Sequence, residues 1–238
     1  MSSAFLAWQD PVSRRWLPIG KLTQRDSVYR FEYTVGAQQA HERHQFEALP
    51  SFPRLGQIYE SDELFPLFKN RLLSKSRPEY TNYIEWLNVP ENEEDPIVLL
   101  SRGGGRRETD SYEIVPCPEP TEEGVFHIHF FAHGLRHMPQ ASLDRIGTLQ
   151  VDDTLLLAHD YQNPHDPEAL IIRTDSATAD DPCLVGFCPR YLTADVLSLK
   201  DEHSVRPRVS VERVNAPPAP TQLRLLCSLT ATWPAGFR

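Results

Sequence analysis

Twenty-one prolines in 238 residues constrain this chain more than any other feature. Proline lacks the N–H that a helix interior or a central strand needs, and its ring clashes with the preceding helical turn. Long helices are therefore disfavoured, and short elements separated by turns are expected. A hydrophobic content of 40% with 24% charged residues reads as a packed globular chain, long enough for one large or two small domains. No apolar run approaches the ~20 residues that a membrane helix requires.

The N-terminal stretch Met1–Asp10 lacks a basic start followed by an apolar core, so no export signal is expected. Cys117, Cys183, Cys188 and Cys227 have no zinc-knuckle spacing and read as reduced thiols, which fits a cytoplasmic location. The net charge of −9 argues against coating duplex DNA, because that binding neutralises phosphates with Lys and Arg. A local pocket for one nucleic-acid end remains compatible with it.

The first segment reads as short aromatic strands at Phe5–Trp8, Trp16–Leu22 and Val28–Thr34. Tyr29, Phe31 and Tyr33 alternate onto one core-facing side. Asp10-Pro11 and Asp26-Ser27 supply turns. Ser61-Asp62-Glu63-Leu64 can open a helix continuing through Leu72, and Arg77–Leu87 is a second helix candidate. Ile97–Leu100 reads as a buried strand, and Ser101–Thr121 as a Gly-, Pro- and charge-rich connection. The domain boundary is placed at Pro116–Glu123, where alternating prolines give a stiff extended linker. Beyond it, strands are expected at Val125–Phe131, Thr154–His159, Ala169–Thr174, Cys183–Phe187, Val205–Val214 and Leu223–Thr232. Pro189–Leu197 reads as a short helix opened by its proline.

Four blocks in the second half occur in a telling order: Gly134-Leu135-Arg136, Asp152-Asp153-Thr154-Leu155-Leu156-Leu157, Asn163-Pro164-His165-Asp166-Pro167-Glu168-Ala169-Leu170 and Val185-Gly186-Phe187-Cys188-Pro189-Arg190-Tyr191. Together they resemble the HIRAN family. The resemblance implies a small β-barrel related to oligonucleotide-binding barrels, whose DNA-binding members cap the 3′-hydroxyl end of a single strand. The two positions that carry stacking tyrosines in those members correspond to His137 and His165. Histidine also stacks, though less strongly.

The residues themselves allow such a site. Asn163-Pro164 makes a tight turn that aims Asp166, whose carboxylate can accept a hydrogen bond from a terminal hydroxyl. Arg136 and Arg190 can contact phosphates as planar forks. Phe187 can stack on a base. The alternative for Asn163 and Asp166 is a turn that uses its side chains for its own backbone.

The first half resembles the N-terminal subdomain of HipA-like proteins through Pro18-Ile19-Gly20-Lys21-Leu22, Tyr29–Tyr33 and Leu64–Leu73. That resemblance implies a β-rich interaction module. No kinase catalytic loop follows it.

Arg102-Gly103-Gly104-Gly105-Arg106-Arg107 lacks the Lys-Ser/Thr that ends a P-loop. It reads as a flexible basic hairpin loop, with Arg102, Arg106 and Arg107 as candidate secondary phosphate contacts. His127, His129, His133 and His137 cluster in sequence, but no carboxylate or cysteine completes a familiar spacing, so no metal site is expected. No Gly-x-Ser-x-Gly or recognisable Cys–His setting is present, and neither an enzyme activity nor a cofactor is expected.

The expected architecture is α+β and β-rich. Residues 1–120 form a HipA N-terminal-like, β-barrel-like domain with helices, and residues 121–238 a HIRAN-like barrel with a short helix. The leading expectation is a bacterial-type, non-catalytic protein that binds single-stranded DNA at a 3′ end, or damaged DNA. The rival is a protein–protein adaptor or regulator, in a toxin, defence or DNA-repair setting, that docks its partner through the N-terminal half.

Overall fold

The computed structural model describes residues 2–90, 95–118, 121, 123–175, 183–201 and 206–232. The chain divides into two compact units, Met1–Cys117 and Pro118–Arg238. Residues 119, 120 and 122 of the expected linker lie outside the described set.

The first unit is built on an antiparallel sheet of five strands in the order β4-β3-β2-β1-β5: β1 (Ser2–Gln9), β2 (Trp16–Arg25), β3 (Val28–Tyr33), β4 (Ile58–Ser61) and β5 (Tyr112–Pro116). The turn between β2 and β3 is Asp26-Ser27, both with positive φ (49° and 67°). That two-residue geometry matches the right-handed strand twist, and Asp tolerates it. Phe31 and Tyr29 are buried on one face of β3, and Phe31 stacks on Phe52 at 4.1 Å. The core is completed by α1 (Val35–His44), through Ala37 and Ala40, and by the one-turn α2 (Pro66–Lys69), through Phe68. Each fully buried Leu or Phe of this kind contributes ~1.5–3 kcal/mol.

Three expectations change here. Ile97–Leu100 is helical, not a strand: it lies in α4 (Pro96–Gly103). Asp95 caps that helix by accepting from Ile97 N at 2.7 Å, and Pro96 occupies its first turn, where a missing N–H costs nothing. Ser61 ends β4 and does not cap a helix, and only Pro66–Lys69 of the expected Ser61–Leu72 helix forms. The expected connection Ser101–Thr121 contains β5, which pairs with β1 from Ala4↔Pro116 to Trp8↔Tyr112. The second helix candidate is α3 (Tyr80–Trp86).

The second unit is an antiparallel sheet of six strands in the order β6-β11-β10-β7-β8-β9. The strands are β6 (Val125–Phe131), β7 (Thr154–His159), β8 (Leu170–Thr174), β9 (Leu184–Phe187), β10 (Arg208–Val214) and β11 (Leu225–Thr232). The sheet curls so that its two ends meet. His133, two residues beyond β6, exchanges both backbone hydrogen bonds with Phe187 of β9, at 2.9 and 3.0 Å. Two helices complete the unit, α5 (Gln140–Ile146) and α6 (Arg190–Asp201). Ile146, Leu192, Val196 and Leu199 from these helices join Phe126, Ile128, Phe130 and Leu229 in one core. The molecule is thus α+β and strand-rich. Among the described residues no helix is long and apolar enough to cross a membrane.

Candidate nucleic-acid interface

The β7–β8 connection is held by its own side chains. Asp160 Oδ1 accepts from Gln162 N at 3.3 Å, and Asp160 O accepts from Asn163 N at 3.1 Å. Asn163 Nδ2 donates to Asp160 Oδ2 at 3.0 Å, while Asn163 Oδ1 accepts from His165 N and Asp166 N. Asp166 Oδ1 then accepts from Glu168 N at 3.1 Å. Asp and Asn side chains here replace the ladder that the backbone has left, which fixes a loop that prolines would otherwise only bend.

The N-terminus of α6 reaches this loop. Arg190 Nε donates to Asp166 Oδ2 at 2.6 Å, and Arg190 Nη2 donates to the His165 carbonyl at 2.5 Å. The pair is partly exposed, with side-chain exposures of 31% and 17%. Asn163, His165, Asp166 and Arg190 are therefore one constellation. His165 itself points to solvent.

A second group stands on the closure of the sheet. Leu135–His137 forms a 3-10 turn after Gly134, and Leu135 is buried. Arg136 and His137 are both exposed, and Arg136 Nε donates to His137 Nε2 at 2.9 Å. Phe187 lies against Gly134 so closely that a Cβ there would stand 2.8 Å from its ring, and Gly134 has φ 76°. Gly186 is equally constrained, with φ 141° and a Cβ position 3.0 Å from Ala132. These two glycines let β9 approach the chain leaving β6. The groups join along one segment, since Phe187 belongs to the second and Arg190, three residues on, to the first. The His133 and Tyr191 rings also meet edge to face at 6.4 Å.

The three arginines of the Gly-rich segment belong to the first unit and have internal partners. Arg102 Nη1 donates to the Leu87 and Asn88 carbonyls at 3.0 and 2.6 Å, closing the C-terminus of α3. Arg106 lies 3.5 Å from Glu113 and over the Trp16 ring at 5.6 Å. Arg107 Nη2 donates to the Asn70 carbonyl. The segment is an ordered helix C-terminus, with Gly104 in the left-handed conformation at φ 75°, and not a flexible hairpin loop. Arg71 ties it down by donating to Gly105 O at 2.9 Å and pairing with Asp110. A phosphate contact here would have to displace these bonds.

Glu113, opposite Arg106, is a deeply buried carboxylate. Burial pushes its carboxyl up to about 7, against a smaller downward pull from Arg106. In the second unit burial likewise raises Asp195 of α6 to about 6. Among the histidines, His127 Nε2 meets Ser228 Oγ at 3.0 Å and His129 lies 3.5 Å from Glu212. Among the described residues no group of three or more His, Cys, Asp or Glu is arranged to hold a metal ion.

Sequence reasoning missed the role of Asp160, which organises the loop, and the exposed ring of Tyr161 beside it. The only signal for them was an Asp-Tyr-Gln-Asn-Pro run, which reads as an ordinary turn.

Residues 125–233 match the family model of the HIRAN domain. No curated protein matches the chain. Among solved structures, the chain is similar to a protein from Lactobacillus plantarum, at 19% identity over 45% of this chain and 97% of that one, with a TM-score of 0.33. It is also similar to the HIRAN domain of human HLTF, at 17% identity over 45% of this chain and 73% of that one, with a TM-score of 0.31. On the family match, residues 125–233 of this chain are a HIRAN domain.

Proposed function

We propose that this chain is a non-catalytic nucleic-acid-binding protein of the cytoplasm, and that its HIRAN domain takes the 3′ end of a single DNA strand. The observation that carries the reading is the Asn163–Asp166–Arg190 constellation. It sets a carboxylate and a carboxamide on a loop fixed by its own hydrogen bonds, with the Arg190 guanidinium of α6 against them. A carboxylate suits a hydroxyl-ended strand, because it accepts from the terminal O–H and repels an added phosphate. Arg190, paired with Asp166, offers a cation to the phosphate backbone. Exposed Arg136 and His137 would extend that contact. The net charge of −9 fits recognition of one end better than coverage of a long lattice. Titration of hydroxyl-ended and phosphate-ended oligonucleotides at fixed salt tests the proposal.

A second reading assigns the first unit to protein contact. It is supported by apolar side chains left in solvent there: Val12 is 89% exposed, Val35 73% and Ile58, on the edge strand β4, 48%. The commitment of Arg102, Arg106 and Arg107 to internal partners also removes the basic feature that would favour nucleic acid in that unit. Co-purification with a partner that is lost on Val35→Asp and Ile58→Asp substitution would support it, and unchanged co-purification would contradict it.

A further inference from the structure

We infer that Tyr161, backed by His159, is a stacking platform for a nucleotide base; the inference rests on the nucleic-acid reading above and adds a contact to it. Tyr161 is 83% exposed. Singly exposed aromatic residues are common, so exposure alone decides nothing. What distinguishes this ring is that it is held in place while one face stays in solvent. Its centroid lies 4.1 Å from that of His159, with an interplanar angle of 34°. His159 is itself fixed, because its Nε2 donates to the Pro167 carbonyl at 2.7 Å.

The backbone under Tyr161 is also fixed. Tyr161 and Gln162 are the central residues of the turn closed by Asn163 N and Asp160 O at 3.1 Å. Asp160 Oδ2 is turned toward Asn163 Nδ2, so its charge is engaged within the loop. An aromatic plane ordered before binding loses little rotamer freedom when a base arrives. It stands two residues before Asn163 and five before Asp166, on the same hydrogen-bonded loop. A strand whose terminal nucleotide is read by Asn163 and Asp166 would lay a neighbouring base on Tyr161. Stacking of this kind accepts any base, because each has a π-face.

The test uses the full chain and a short, 5′-labelled, hydroxyl-ended oligothymidylate, with Tyr161→Phe, Tyr161→Ala and Asp166→Ala. Tyr161→Phe should bind within about twofold of the wild type, and Tyr161→Ala about tenfold more weakly, as expected for one lost base–aromatic stack. A series of strands with one abasic residue at successive positions provides a second readout. At one position the missing base should weaken the wild type by about the same factor, and there the two losses should not add. Wild-type affinity in Tyr161→Ala together with weakened binding in Asp166→Ala would overturn the stacking contact and leave the end-binding reading intact. Failure of the wild type to bind any strand would overturn both.

Discussion

Arg190 and Asp166, 24 residues apart in sequence, meet at 2.6 Å, and the same guanidinium holds the His165 carbonyl. The helix that follows β9 is thereby tied to the loop that follows β7. Neither residue can be varied without changing the setting of the other. We therefore expect Asp166→Ala and Arg190→Ala to be non-additive in stability. A double-mutant cycle followed by thermal unfolding should give a coupling of about 0.5–2 kcal/mol, the lower half being favoured because both side chains are partly exposed. Additive effects would mean that the pair is not maintained in solution.

The closure of the six-stranded sheet depends on Gly134. A side chain there would need a left-handed φ of 76° and would collide with the Phe187 ring. Gly124 has a similar φ of 72° but open space around it. Gly134→Ala should destabilise the second unit by about 2–4 kcal/mol, and Gly124→Ala by only about 1 kcal/mol. Chemical unfolding of the two variants, read by calorimetry or fluorescence, checks the difference. Equal losses would show that the Phe187 contact does not constrain the chain.

Glu113 gives the first unit a pH dependence of definite sign. Its folded carboxyl sits near 7 and its ordinary value is 4.5, and burial is the main cause. The folded state therefore holds a proton that the unfolded chain releases between those values. Stability from this group is fully present below pH ~4.5 and is lost as pH rises through ~7. Glu113→Gln should raise the melting temperature at pH 8, by the equivalent of at most about 2–3 kcal/mol, and change it little at pH 4.5. A gain of equal size at both pH values would rule out titration of Glu113 as the cause.

Two strands of the second unit were legible to the residue, whereas the expected Val205–Val214 and Leu223–Thr232 begin at Arg208 and Leu225, Val205 lying outside the described residues. Val125–Phe131 and Thr154–His159 are the observed β6 and β7, because apolar runs there are bounded by turn residues on both sides. Ile97–Leu100 misled, since four apolar residues in a row suit either a buried strand or a buried helix. The Asp95-Pro96 start signal decides for the helix. β5 was hidden because it buries a glutamate and ends in proline. α1 gave little pattern, as only Ala37 and Ala40 of its ten residues are buried. At the site, the Asn163-Pro164 turn could be read from residue chemistry alone. The Arg190–Asp166 bond could not, since nothing local to either residue names the other. The arginines of the Gly-rich segment were misleading for the same reason: their partners Leu87, Asn70 and Glu113 are brought to them only by folding.

The most direct measurement of the central claim is the affinity of the full chain for one short single strand carrying either a 3′-hydroxyl or a 3′-phosphate, at fixed salt. On the proposed reading, Asp166 would accept from a terminal hydroxyl and repel a phosphate. A charged hydrogen bond of this kind contributes ~1.5–3 kcal/mol, so the hydroxyl-ended strand should bind at least about tenfold more tightly. Asp166→Ala should narrow that ratio. Equal affinity for the two ends would contradict end recognition, and absence of binding at low salt would contradict nucleic-acid binding altogether.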